Sequence, residues 1–111
     1  MPLNIEPLQR TEWIPLPHEG CRNVFAKPLL KLDNLGLALL RFEPDGTIHP
    51  HAAQIEIDVI CLEGAGMVSV GDEQAALKAG EHLRWPADIE HCLWTTDSGM
   101  LTLMVEHYSS P

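Results

Sequence analysis

The sequence of 111 residues predicts an all-β domain, an antiparallel sandwich or barrel. From Leu35 onward, short β-branched or apolar runs recur at intervals of about ten residues, turn residues separate them, and no helix intervenes. Each run is long enough for a strand and too short for a helix of ordinary length.

In the first thirty residues, prolines at 2, 7, 15, 17 and 28 and Gly20 interrupt the chain too often for a useful helix. Short strands and loops, forming an irregular segment around the core, are expected there. Leu37 to Phe42 is the first clear strand, Pro44-Asp45-Gly46 reads as a turn, and Thr47 to His51 is the next strand. Ile55 to Leu62 leads to Gly64-Ala65-Gly66, and Met67 to Val70 leads to Gly71-Asp72, a pattern of hairpins with glycine where positive φ is needed. Gln74 to Lys78, His82 to Trp85, Cys92 to Thr96 and Met100 to Glu106 complete the series, separated by Ala79-Gly80, Pro86-Ala87-Asp88 and Asp97-Ser98-Gly99.

The length suits a single domain over residues 1–111. Hydrophobic residues at 45% and charged residues at 21% are those of a folded chain. Sixteen acidic residues against seven basic ones give a formal net charge of −9, with no Lys/Arg cluster, which argues against nucleic acid and anionic membrane surfaces as partners. The first residues lack the basic start and apolar run of a signal peptide, and no segment reaches membrane-spanning length, so a cytoplasmic protein is expected. Cys21, Cys61 and Cys92 are odd in number and have no CxxC spacing, so they are read as reduced thiols.

Chemistry concentrates in the histidines. On an extended segment the imidazoles of His49 and His51 fall on one face, because strand side chains alternate. His91, five residues after Pro86, adds a third, and Glu56 and Asp58 offer a carboxylate. Three imidazoles and one acid suit a single divalent transition metal, Fe, Mn, Ni, Cu or Zn, with positions left open. His18, His82 and His107 are read as surface or satisfied core histidines, Trp85 and Trp94 as core or contact residues, and Arg41 and Arg84 as rim ion-pair residues.

These motifs resemble those of the cupin superfamily over about Leu37 to Glu106. The first, about residues 46–64, matches in His49-Pro50-His51, Glu56 and Leu62-Glu63-Gly64; the second, about 80–95, matches in Gly80, Pro86, Asp88 and His91. The resemblance implies a jelly-roll barrel (double-stranded β-helix) with His49, His51, His91 and one acid as metal ligands. Three departures stand out: Gly46 lies close to His49, Asp88 replaces a glycine, and Thr95 stands where an asparagine often follows. The acid is Asp58 or Glu56, unless the site uses neither, because counting forward from His51 gives Glu56 whereas counting back from Gly64 gives Ile57 or Asp58, as if one or two residues had been inserted. Alternation groups Glu56 with Asp58 on one strand face; with an acid facing inward, Ile57 faces away. Gln54 and Thr95 are candidate partners for the ligands.

By resemblance, then, the chain is a small metal-binding cupin: either a dioxygenase-type or isomerase-type enzyme on a small metabolite, or a non-catalytic sensor or binder of a small molecule in the barrel. No residue beyond the ligands marks a general base or nucleophile. A homodimer through sheet edges or an exchanged N-terminal strand is also implied.

Overall fold

A computed structural model describes residues 3–8, 12–16 and 19–108; Pro2, Pro17 and His18 of the sequence reading lie outside them. Eight strands follow one another: β1 (Ile14–Pro15), β2 (Arg22–Lys31), β3 (Leu35–Thr47), β4 (Glu56–Val70), β5 (Glu73–Lys78), β6 (His82–Trp85), β7 (His91–Trp94) and β8 (Met100–His107). All pairings are antiparallel. Strand β8 lies between β3 and β4, and β7 joins the same two strands on the other side, so β3, β8, β4 and β7 close into a ring. The pairs β1–β2 and β5, β6 extend the wall outward from β3 and β4. The fold is the expected all-β jelly-roll barrel.

Two expected turns are bends inside long strands. Pro44-Asp45-Gly46 stays within β3, where Asp45 takes φ 56° and its N–H donates to the Thr96 carbonyl at 2.8 Å. Aspartate tolerates this left-handed conformation better than most residues. The Thr95 hydroxyl clamps the bend, donating to the Glu43 carbonyl at 2.6 Å and accepting from the Gly46 N–H at 2.8 Å. Gly64 likewise lies within β4 at φ 76°, so close to the Gly99 carbonyl that a Cβ would collide. Before this bend β4 pairs with β6 and β8, and after it with β5 and β7; one strand thus serves both layers. A backbone that stays hydrogen-bonded through a bend needs no separate turn.

The proline-broken start is more regular than expected, since β2 is ten residues long. Pro28 sits next to a register shift and outside the reach of β1, whose partners are Phe25 and Ala26, so its missing N–H costs little. Val24, Phe42, Ile48, Val59, Cys61, Val68, Leu77, Leu93 and Met100 form much of the buried core. Cys21, Cys61 and Cys92 are free thiols, and burial pushes those of Cys61 and Cys92 up. No helix among the described residues is long and apolar enough to cross a membrane.

Candidate functional site

Where the core stops, a cavity of about 420 Å³ opens between the layers. Its walls follow from strand alternation: Ala38 and Leu40 from β3, Met104 and Glu106 from β8, and the register pair Ile57 and Trp85 from β4 and β6 all point the same way. Leu16, Cys21, Ile48, His49 and His51 complete the lining. The volume and mainly apolar character are those of a small-molecule site.

The His-x-His segment leaves β3 and runs beside β7. His51 and His91 exchange backbone hydrogen bonds, N–H to carbonyl at 3.1 and 2.8 Å, an isolated bridge that sets their side chains together. Their rings meet edge to face, centroids 4.6 Å apart. The His51 Nδ1–H donates to the His49 carbonyl at 2.8 Å, which leaves Nε2 as the acceptor nitrogen. His49 is exposed; its N–H donates to the Cys21 Sγ at 3.2 Å and its ring lies against Gly20, where a Cβ would collide.

Behind His51, His91 is 0% exposed and stacks on Trp85, with ring centroids 3.9 Å apart and planes 7° from parallel. Among the described residues neither ring nitrogen of His91, nor Trp85 Nε1, meets the geometry of a hydrogen bond. Burial, with His51 beside it, lowers the His91 pKa from 6.5 to about 4, so the ring is neutral.

The two acids expected beside these histidines are elsewhere. Ile57 faces the cavity, so its neighbours Glu56 and Asp58 face out, the reverse of the expected alternation. From Glu56 to Cys61 the strand alternates without interruption, with Ile57, Val59 and Cys61 buried, so neither acid shares the cavity face. The bulge comes afterwards, where the pairing with β8 shifts register between Cys61 and Glu63 and Leu62 is exposed. On the outer face Asp58 is buried beneath three cationic or potentially cationic groups: Arg84 donates from Nε and Nη2 at 3.0 and 2.9 Å, and the Nε2 atoms of His82 and His107 lie 2.7 Å from its two oxygens. Hydrogen bonds from Arg84, and then from the two histidines, hold its carboxyl well below the usual carboxylate range despite the opposing effect of burial. Glu56, exposed, reaches only Arg84, at 3.4 Å.

The structure therefore brings His51 and His91 into contact, sets His49 on the same cavity, and leaves Glu56 and Asp58 on the far side of the sheet. Tested against a transition metal, this arrangement does not supply the expected donor set: among the described residues no three His, Cys, Asp or Glu side chains group as an ion's ligands would. Of the other candidates, Thr95 braces β3 and Gln54 is exposed. Arg41 lies between the Trp13 and Phe25 rings, 4.7 and 4.9 Å from their centroids. The sequence reading missed Glu106 and Cys21. Glu106 alternates with Met104 along β8, a signal that becomes useful once the inner face is known.

Asp88, in place of the second-motif glycine, adopts φ 65°, the conformation a glycine would supply. The match thus survives at the level of backbone shape. A sequence profile of the cupin domain matches residues 38–106. Among solved structures, the polyketide cyclase RemF from Streptomyces resistomycificus superposes with a TM-score of 0.84 at 18% identity, covering 98% of this chain and 82% of RemF. KdgF from Halomonas sp. gives 0.77 at 15% identity over 90% of each chain. The cupin-2 domain protein Rru_A2000 from Rhodospirillum rubrum gives 0.80 at 18% identity, covering 96% of this chain and 80% of that one. No curated protein matches the sequence. With the profile covering more than half its length, on a barrel that carries both motifs, this chain belongs to the cupin superfamily.

Proposed function

We propose that this cupin binds a compact, largely apolar small molecule in the barrel cavity, with the ligand's polar end near His51. The observation that carries this reading is the cavity itself, about 420 Å³, walled by seven apolar residues and by Cys21, His49, His51 and Glu106. With Nδ1 engaged by the His49 carbonyl, Nε2 is the His51 nitrogen left to meet the polar end of the ligand. His91 and Trp85 support that ring from behind. RemF is a polyketide cyclase, and its likeness of fold directs the choice of probes toward compounds bearing several oxygens.

Thermal-shift screening of small ketones, phenols and hydroxylated aromatics tests the reading. A true ligand at a hundredfold its Kd stabilises the protein by about 2.7 kcal/mol. The shift is expected to vanish in an Ala38→Trp variant that fills the cavity yet melts as a folded protein. Equal shifts in both proteins would sink the proposal.

A metal-dependent cupin is the second reading, and the two unpartnered nitrogens of His91 favour it. His49, His51 and His91 would be the ligands, with His49 turning from Gly20 toward His51. Metal analysis of protein purified without an affinity tag separates the readings. About one transition metal per chain, lost in a His49→Ala/His51→Ala variant, is the metal-dependent result. The homodimer expected by resemblance belongs to the same proposal; among the described residues β1 has one unpaired edge, and light scattering is the check.

A further inference from the structure

Among the described residues Glu106 is the only carboxylate lining the cavity. It stands on β8 in register with Gly36 of β3 and Ile57 of β4, between two residues that bring no polar side chain. Gly36 makes room for the Tyr108 ring, since a Cβ there would collide with it. So seated, the Tyr108 hydroxyl donates to Glu106 Oε1 at 3.0 Å. Burial and the neighbouring Glu106 raise the Tyr108 pKa, which keeps the phenol protonated as a donor. Among the described residues Oε2 has no hydrogen-bond partner, and no Lys, Arg or His pairs with Glu106. A carboxylate only accepts hydrogen bonds, so Oε2 can take one from a donor that enters the cavity.

We infer that Glu106 anchors the ligand, so that the cavity selects molecules with an apolar body and a hydrogen-bond donor, a hydroxyl or protonated amine, and rejects carboxylates. This rests on the small-molecule reading and names the ligand class of the same cavity. The inner acid comes from β8 in this chain, where Ile57 of β4 presents a hydrocarbon.

The test uses three probes with one ring system, 2-naphthol, 2-(aminomethyl)naphthalene and 2-naphthoate, titrated calorimetrically into the full chain and its variants. The wild type is expected to bind the naphthol and the amine about tenfold or more tighter than the naphthoate, the ratio that one charge-assisted hydrogen bond supplies. Glu106→Gln should cost the amine about tenfold and bring the naphthoate close to the naphthol. Tyr108→Phe, which keeps the carboxylate, should preserve discrimination against naphthoate, so a folding defect in the first variant leaves the test intact. Equal affinities of the three probes in wild type and Glu106→Gln would overturn the anchor and leave the cavity reading standing. No binding of any probe to the wild type would overturn both.

Discussion

The two faces of the wall formed by β6, β4 and β8 carry the same kinds of residue and treat them in opposite ways. On the outer face Asp58 meets Arg84, His82 and His107, and its oxygens are fully answered. On the inner face Trp85, with His91 of β7 stacked on it, leaves three ring nitrogens without a partner among the described residues, and Glu106 keeps one open oxygen. Native proteins rarely leave buried polar groups unmatched. The difference teaches that the outer cluster joins strands through its own side chains, whereas the inner groups are the ones on which the proposed ligand reading rests.

The largest expected effect comes from the inner stack. Trp85 is 1% exposed, and Trp85→Ala should destabilise the protein by about 3–5 kcal/mol in urea titrations, with His91 losing the ring it rests on. A loss under 1 kcal/mol would mean that the stack adds little.

Acid comes next. His91 titrates near 4 when folded and near 6.5 when unfolded, so the unfolded chain takes up the proton first as pH falls. Stability should drop between those values by on the order of 3 kcal/mol, and His91→Phe should flatten the curve there. Asp58 acts in a separate window. Its folded pKa is depressed, so its contribution is complete above the ordinary 3.8 and is lost as pH falls below that value. A curve unchanged by His91→Phe would refute the assignment of the upper window.

On the outer face, Asp58→Ala leaves Arg84 without its bidentate partner but still half exposed, and should cost about 1–3 kcal/mol at neutral pH. Glu56→Ala should change stability by no more than about 0.5 kcal/mol, because both it and Arg84 reach water. If the two acids proved equivalent by chemical denaturation, the contrast between a structural and a surface carboxylate would fail.

These two acids also show what was legible in the chain. The all-β class, the spacing of His49, His51 and His91 and the glycine-like site at Asp88 could be read because they depend on local alternation and spacing. That both acids face outward could not be read, because alternation only groups Glu56 with Asp58 on one face, and which face meets the cavity depends on the pairing of Ile57 with Trp85 and Glu106 across the sheet. The bends at Asp45 and Gly64 resembled turns because turn residues mark a change of direction whether or not the ladder breaks, and here the ladder continues. Glu106 was hidden for another reason: an acid near the end of a strand becomes meaningful only when its partners across the sheet are known.

The placement of β8 also sets the order in which the molecule is made. The last strand of the chain forms the seam between β3 and β4, joining Leu35 to His107 and Gly64 to Met100. During synthesis the barrel stays open until this segment emerges, and contacts so distant in sequence make for slow folding. Because Glu106 arrives with that closing strand, the cavity acquires its acid only as the barrel shuts. A ligand held by Glu106, as inferred above, would therefore bind the closed barrel alone and act as a latch on the seam.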